Sequence, residues 1–154
     1  MIKILFVCHG NICRSPMAEF LFRDLLQKRG LEGRALVASA ATSAEEIGNP
    51  VYPPARRKLA QLGIDAGGKR AVQLTRADYG RWDYLIGMEQ YNLRNMLRIL
   101  GGDPQGKVLR LLDLTGRPRD IEDPWYTGDF DTACREIGEG CAALMDRLQR
   151  EGRL

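Results

Sequence analysis

The stretch IKILFVCHGNICRSPMAEFLF, Ile2 to Phe22, decides how this chain is read. An apolar run rich in β-branched residues, Ile2 to Val7, gives way to the loop Cys8 to Ser15. Helical spacing of Met17, Phe20, Leu21 and Leu25 then begins. Gly10 and Asn11 supply unusual backbone angles, and Ser15-Pro16 fits an N-cap followed by proline at the first helical position. A chain turning from a buried strand into a helix through such a loop points several backbone N–H groups into one concavity, and the helix N-terminus adds positive potential. A dianion fits there. The same field favours the thiolate of Cys8 as a nucleophile, and Arg14 brings a planar fork to two oxygens of a bound phosphate. Ser15 either caps the helix or donates to the sulfur. Cys and Arg at this spacing recur by chance, and Cys8 would also suit a buried strand. The strand, turn and helix around them carry the argument.

Working outward, strand-like runs at Ile2 to Val7, Ala35 to Ser39, Tyr84 to Met88 and Val108 to Leu112 alternate with helical patterns. The helices follow Pro16, span Pro54 to Leu62 and Gln90 to Leu100, and close with Asp129 to Arg150. That alternation predicts an α/β fold, a three-layer sandwich with a four-stranded parallel sheet flanked by helices. The run Leu109 to Leu112, broken only by Arg110, reads as a strand covered on both faces. Ligands of such sheets bind beyond the carboxyl ends of strands, where the Cys8 loop lies. A length of 154 residues with 44% apolar content and no linker predicts one domain, residues 1–154.

Composition narrows the function further. The apolar run before Cys8 is too short for a signal peptide and no run reaches membrane-spanning length, so a cytoplasmic protein without a membrane partner is expected. Four cysteines then read as reduced thiols. Cys134 and Cys141 fall with Phe130, Ile137, Leu144 and Leu148 on one helical stripe, hence core; two turns place them roughly 10 Å apart, beyond disulfide reach. The net charge is +3, with basic clusters at Arg56-Arg57-Lys58 and Lys69-Arg70. No aromatic residues interleave with them, so they read as solvated faces rather than a nucleic-acid site. The single histidine and the spacing of Cys8 and Cys13 fit no zinc set, and nucleotide-loop and HExxH motifs are absent. No cofactor and no metal are expected.

VCHGNICRSP (Val7 to Pro16), SAATSAEEIGNP (Ser39 to Pro50), MEQYNLRNM (Met88 to Met96) and IEDPWY (Ile121 to Tyr126), in this order, resemble the low-molecular-weight protein tyrosine phosphatases. The resemblance covers essentially the whole chain. It implies a metal-free phosphomonoesterase with a phosphocysteine intermediate: Cys8 as nucleophile, Arg14 as phosphate clamp and Asp123 as general acid and base. Glu122 is the alternative acid. His9, Gly10, Asn11, Ile12, Cys13, Arg14 and Ser15 would bind the phosphate of a phosphotyrosine protein, or inorganic phosphate. Asn11, Ser15 and Ser39 would support the loop. Ile12, Glu45, Trp125 and Tyr126 would line the substrate pocket, with His9, which leaves the strand on the face opposite Cys8, at the rim. In the family the second loop cysteine traps an oxidised nucleophile as a disulfide; Cys13 is equally suited to a plain apolar wall.

Three positions depart from the family pattern: Glu45 stands where an aromatic residue is frequent, Glu89 where Asp is, and Val72 where Arg is. A carboxylate at position 45 is expected to repel acidic flanks. An arsenate reductase of this fold would need a downstream cysteine pair, and none lies between Cys13 and Cys134. A protein arginine phosphatase shares loop and acid; Ile12 and the Trp125-Tyr126 pair favour an aryl phosphate. A phosphate-binding module would need neither thiolate nor acid.

Overall fold

The computed structural model describes Met1 to Leu154. Four strands, β1 (Ile2–Cys8), β2 (Ala35–Ala41), β3 (Tyr84–Gly87) and β4 (Val108–Arg110), form one sheet in the order β2-β1-β3-β4, every pair parallel. Ile4 sits opposite Val37 on one side and Tyr84 on the other. Six helices accompany the sheet: α1 (Arg14–Lys28), α2 (Pro53–Gln61), α3 (Asp78–Arg81), α4 (Gln90–Leu100), α5 (Pro124–Thr127) and α6 (Phe130–Arg150).

Strand β1 is the centre because both of its faces are apolar. Ile2, Ile4, Phe6 and Cys8 join the larger core with Met17 and Phe22 of α1 and Ile137, Cys141 and Leu144 of α6. Leu5 and Val7 face a smaller core with Leu85, Met96 and Leu100. This is the period-two split of a strand covered on both sides. Burying Phe6 or Phe22 contributes about 1.5–3 kcal/mol each, which anchors β1 and α1 around the loop between them. Gly140 lets α6 pack closely, since a Cβ there would collide with Leu111.

The boundaries differ from the sequence reading in places that matter. Helix α1 begins at Arg14, so Pro16 is its third residue, still among the positions whose N–H has no intrahelical acceptor. Ser15 is inside the helix and its hydroxyl caps nothing; Cys13 is the N-cap residue, without a side-chain bond. The fourth strand stops at Arg110 as a half-buried edge, and Leu111–Leu114 form a 3-10 turn that drops Leu111 and Leu112 fully into the core. Their apolarity served a turn beneath the sheet, not a strand covered on both faces. The short helices α3 and α5 were not expected, and Met88 lies just past β3. Cys134 and Cys141 are buried core residues, as the stripe predicts. No helix is long and apolar enough to cross a membrane.

Candidate active site

The carboxyl ends of β1, β2 and β3 converge, and four connections meet above them: the loop 8–13, the loop 42–52, the turn at Glu89 and the segment entering α5. The carbonyls of Cys8, His9 and Ile12 accept from Thr42 N (2.9 Å), Ser43 N (3.0 Å) and Tyr52 N (2.9 Å). With those carbonyls turned outward, N–H groups are left facing inward. Asn11 N and Ser15 N lie 3.3 and 3.4 Å from Cys8 Sγ. The sulfur is therefore cradled by the donors that would meet an oxyanion bound against it.

Asn11 holds this shape. It is the only non-glycine residue with positive φ, at 59°. Its Oδ1 accepts from Val72 N at 3.1 Å, and a backbone donor cannot reverse, so Nδ2 must face Ser15 Oγ (2.8 Å) and Ser39 Oγ (2.9 Å). Ser39 in turn donates to Glu19 Oε1 at 2.6 Å. The Ser15 hydroxyl proton is left for Cys8 Sγ at 3.0 Å, the other acceptor, Ala40 O, being at 3.5 Å. Ser15 thus takes the second of its two expected roles, donor to the sulfur.

Glu19 was not anticipated. It is 3% exposed and pairs with Arg23 (2.8 Å) and Lys69 (3.6 Å), while Lys69 Nζ also donates to Ser39 O at 3.0 Å. The spacing Ser15, Glu19, Phe22, Leu26 places a charge on the buried face of α1, a readable signal. Lys69 is correspondingly no solvated cation: burial pulls its ammonium below the usual lysine range, with Glu19 opposing that shift.

Arg14 is 1% exposed. Its Nη1 donates to Ile121 O (2.7 Å) and Glu89 Oε2 (3.0 Å), and Nη2 lies 3.3 Å from Asp123 Oδ2. Burial alone would lower its pKa, yet the charges of Cys8, Asp123 and Glu89 outweigh burial and raise it. Glu89 and Ile121 fix the outer edge of the guanidinium, so its remaining N–H groups point toward the cleft. Asp123 sits at the start of α5, where Oδ1 accepts from Trp125 N at 3.0 Å and Oδ2 stays beside Arg14. Glu122 is exposed and lines a neighbouring groove instead.

Cys8, His9, Gly10, Ile12, Cys13 and Arg14 line one cleft with Glu45, Asp123, Trp125 and Tyr126. All four sequence-expected pocket residues are among them. Glu46 and Tyr52 were missed: Glu46 lines the cleft, and Tyr52 backs Trp125 with ring centroids 4.7 Å apart. Trp125 remains 50% and Tyr126 81% exposed, as cleft walls rather than core. His9 pairs with Glu45 (Nε2 to Oε2, 3.1 Å) and packs on Tyr91, not on Cys8. Cys13 is a free thiol that burial, then the neighbouring Cys8, pushes far above its usual range, so it lines the loop as a neutral group. No cluster of three or more His, Cys, Asp or Glu residues is disposed to hold a metal ion.

Comparison with known proteins gives a consistent result. A family model described as "Low molecular weight phosphotyrosine protein phosphatase" matches residues 3–154. The low molecular weight protein-tyrosine-phosphatase YfkJ of Bacillus subtilis is 40% identical over 156 residues, covering 100% of both chains, and its crystal structure superposes with a TM-score of 0.95 over 98% of this chain and 96% of that one. The human low molecular weight phosphotyrosine protein phosphatase is 34% identical, covering 94% of each chain. The structure of DARP, drosophila arginine phosphatase, shares 28% identity and a TM-score of 0.86 over 95% of this chain and 97% of that one.

Proposed function

We propose the following division of labour for a chain that belongs to the low molecular weight phosphotyrosine protein phosphatase family and is a protein-tyrosine-phosphatase. The phosphate of a phosphotyrosine side chain enters the loop, its oxygens meeting the backbone N–H groups of residues 9–15 and the free edge of the Arg14 guanidinium. Cys8 Sγ attacks phosphorus, the bond to the phenolic oxygen breaks, and Asp123 gives its proton to that oxygen. A water then attacks the phosphocysteine, returning a proton to Asp123, and the S–P bond breaks to release phosphate and the thiolate. Apart from substrate and that water, both halves use protein groups alone.

Each role has a geometric support. Ser15 donates to Sγ at 3.0 Å, and it stabilises sulfur most when sulfur is negative, as it is on leaving phosphorus in the second step. Arg14 is held by Glu89 and Ile121 before substrate arrives, so its alignment costs little at the transition state. Asp123, 3.3 Å from Nη2, lines the cleft beside the phosphate clamp, whereas Glu122 does not line this cleft. The single observation that carries the reading is the hydrogen-bond network in which Asn11 donates to Ser39, which donates to Glu19, and to Ser15, which is left to donate to Sγ, because a phosphate-binding module has no use for a prepared thiol.

Ile12, Trp125 and Tyr126 give the cleft apolar and aromatic walls suited to a phenyl ring. A cytoplasmic setting suits four free thiols. Turnover of matched phosphotyrosine, phosphoserine and phosphoarginine peptides, with and without a chelator, tests the reading. Phosphotyrosine is expected to be fastest and the chelator without effect. A faster phosphoarginine peptide would make the chain an arginine phosphatase, and loss of activity with chelator would overturn the metal-free mechanism.

A further inference from the structure

A second groove shares a wall with the catalytic cleft: His9, Glu45, Asp123 and Tyr126 belong to both. Four carboxylates line this groove, those of Glu45, Glu89, Glu122 and Asp123, and no lysine or arginine does. Glu89 and Asp123 are engaged with Arg14 at 3.0 and 3.3 Å. Glu45 and Glu122 are different. Glu122 is exposed, without an ion pair or hydrogen bond, and Glu45 commits only Oε2, to His9 Nε2 at 3.1 Å, with its side chain 69% exposed. His9 Nδ1 is buried without a partner, and the ring's one polar contact is through Nε2 to Glu45. His9 itself is braced by Tyr91, whose ring centroid is 6.1 Å away, while Arg94 lies over that same tyrosine at 5.9 Å without lining the groove.

The groove adjoins the Cys8 cleft across that shared wall, next to where a residue flanking a bound phosphotyrosine would lie. We propose that the groove is a subsite for a lysine or arginine flanking the phosphotyrosine, with Glu45 and Glu122 receiving the cation and the exposed face of Tyr126 covering its aliphatic stem. Charge complementarity selects this occupant: an acidic flank would meet four carboxylates compensated by one buried arginine, and a neutral flank would leave Glu122 and one oxygen of Glu45 without a partner. The proposal rests on the phosphotyrosine reading and names the sequences that reading accepts. Glu45 is thus a specificity residue held in place by His9, and it does no chemistry.

The test compares three phosphotyrosine peptides differing only in flanking Lys, Ala or Glu, beside a small aryl phosphate that has no flanks. Exposed charge pairs predict kcat/KM for the lysine peptide about fivefold above the alanine peptide, and the glutamate peptide lower still, chiefly through KM. At about 1 M salt the three should converge. Glu45→Gln with Glu122→Gln should flatten the ratio of basic to acidic peptide, and Glu45→Lys should invert it. These ratios are internal to each variant, so a general loss of activity does not imitate them. Equal kcat/KM for the three wild-type peptides, with the aryl phosphate hydrolysed, would overturn the subsite alone. Failure to hydrolyse the aryl phosphate would overturn the phosphatase reading and the subsite with it.

Discussion

Substitution of Asn11 separates the two ways in which the loop could be held: backbone conformation and hydrogen bonding. Asn11 adopts φ 59° and makes three bonds, to Ser15 Oγ at 2.8 Å, Ser39 Oγ at 2.9 Å and Val72 N at 3.1 Å. At about 1 kcal/mol net per bond, their loss costs about 3 kcal/mol. Alanine would add roughly 1 kcal/mol for a Cβ in the left-handed region, which glycine avoids. Asn11→Gly should therefore destabilise by about 3 kcal/mol and Asn11→Ala by about 4 kcal/mol. For a chain of this size that is a fall in Tm of roughly 6–12 °C and 8–16 °C respectively. Both variants should also lose turnover, because the donors around Cys8 are no longer aligned. Calorimetry with parallel assays on an aryl phosphate measures both effects. If Asn11→Gly stays within about 1 kcal/mol of the unsubstituted protein while Asn11→Ala does not, backbone strain, not the bond network, shapes the loop.

Arg14→Lys should lower kcat by roughly 10²-fold or more, because a point charge replaces a fork already aligned by Glu89 and Ile121; a loss below tenfold would make Arg14 a structural cation. Asp123→Asn should cost roughly 10²-fold on phosphotyrosine and far less on an aryl phosphate with a good leaving group. A larger loss from Glu122→Gln would move the acid to that residue. The Thr132 hydroxyl and backbone N–H hold the Asp129 carboxyl below its usual range, so its folded pKa is lower than its unfolded one. Its stabilisation is complete above the ordinary carboxylate range and is lost as pH falls through the folded value. Asp129→Ala should thus lower Tm at neutral pH, the gap narrowing as pH falls below the ordinary carboxylate range; a pH-independent gap would contradict this.

Residues 2–22 made the fold and the loop legible because strand, turn and helix each follow from local chemistry: near-continuous burial on both faces of β1, a left-handed Asn11, and apolar spacing along α1. The same logic failed at Leu111 and Leu112, where an apolar run served a buried 3-10 turn; hydropathy reports burial and not which element supplies it. Ser15-Pro16 misled by two residues, since proline is tolerated throughout the first helical turn. Glu19 and Lys69, fifty residues apart in sequence, meet behind the loop only once β2 is laid beside β1. The donors and acceptors that complete the site, Val72 N and Ile121 O, are backbone groups that carry no side-chain signature.

Whether phosphate passes through Cys8 is tested most directly by catching it there. Asp123→Asn slows the return of water, so mixing it with an activated aryl phosphate and quenching in acid should yield a protein heavier by one phosphoryl group. Fragmentation of the tryptic segment Ile4 to Arg14 should place that group on Cys8 and not on Cys13, and Cys8→Ser should show neither the adduct nor turnover. A phosphoryl group on any other residue, or wild-type turnover surviving Cys8→Ser, would contradict the mechanism.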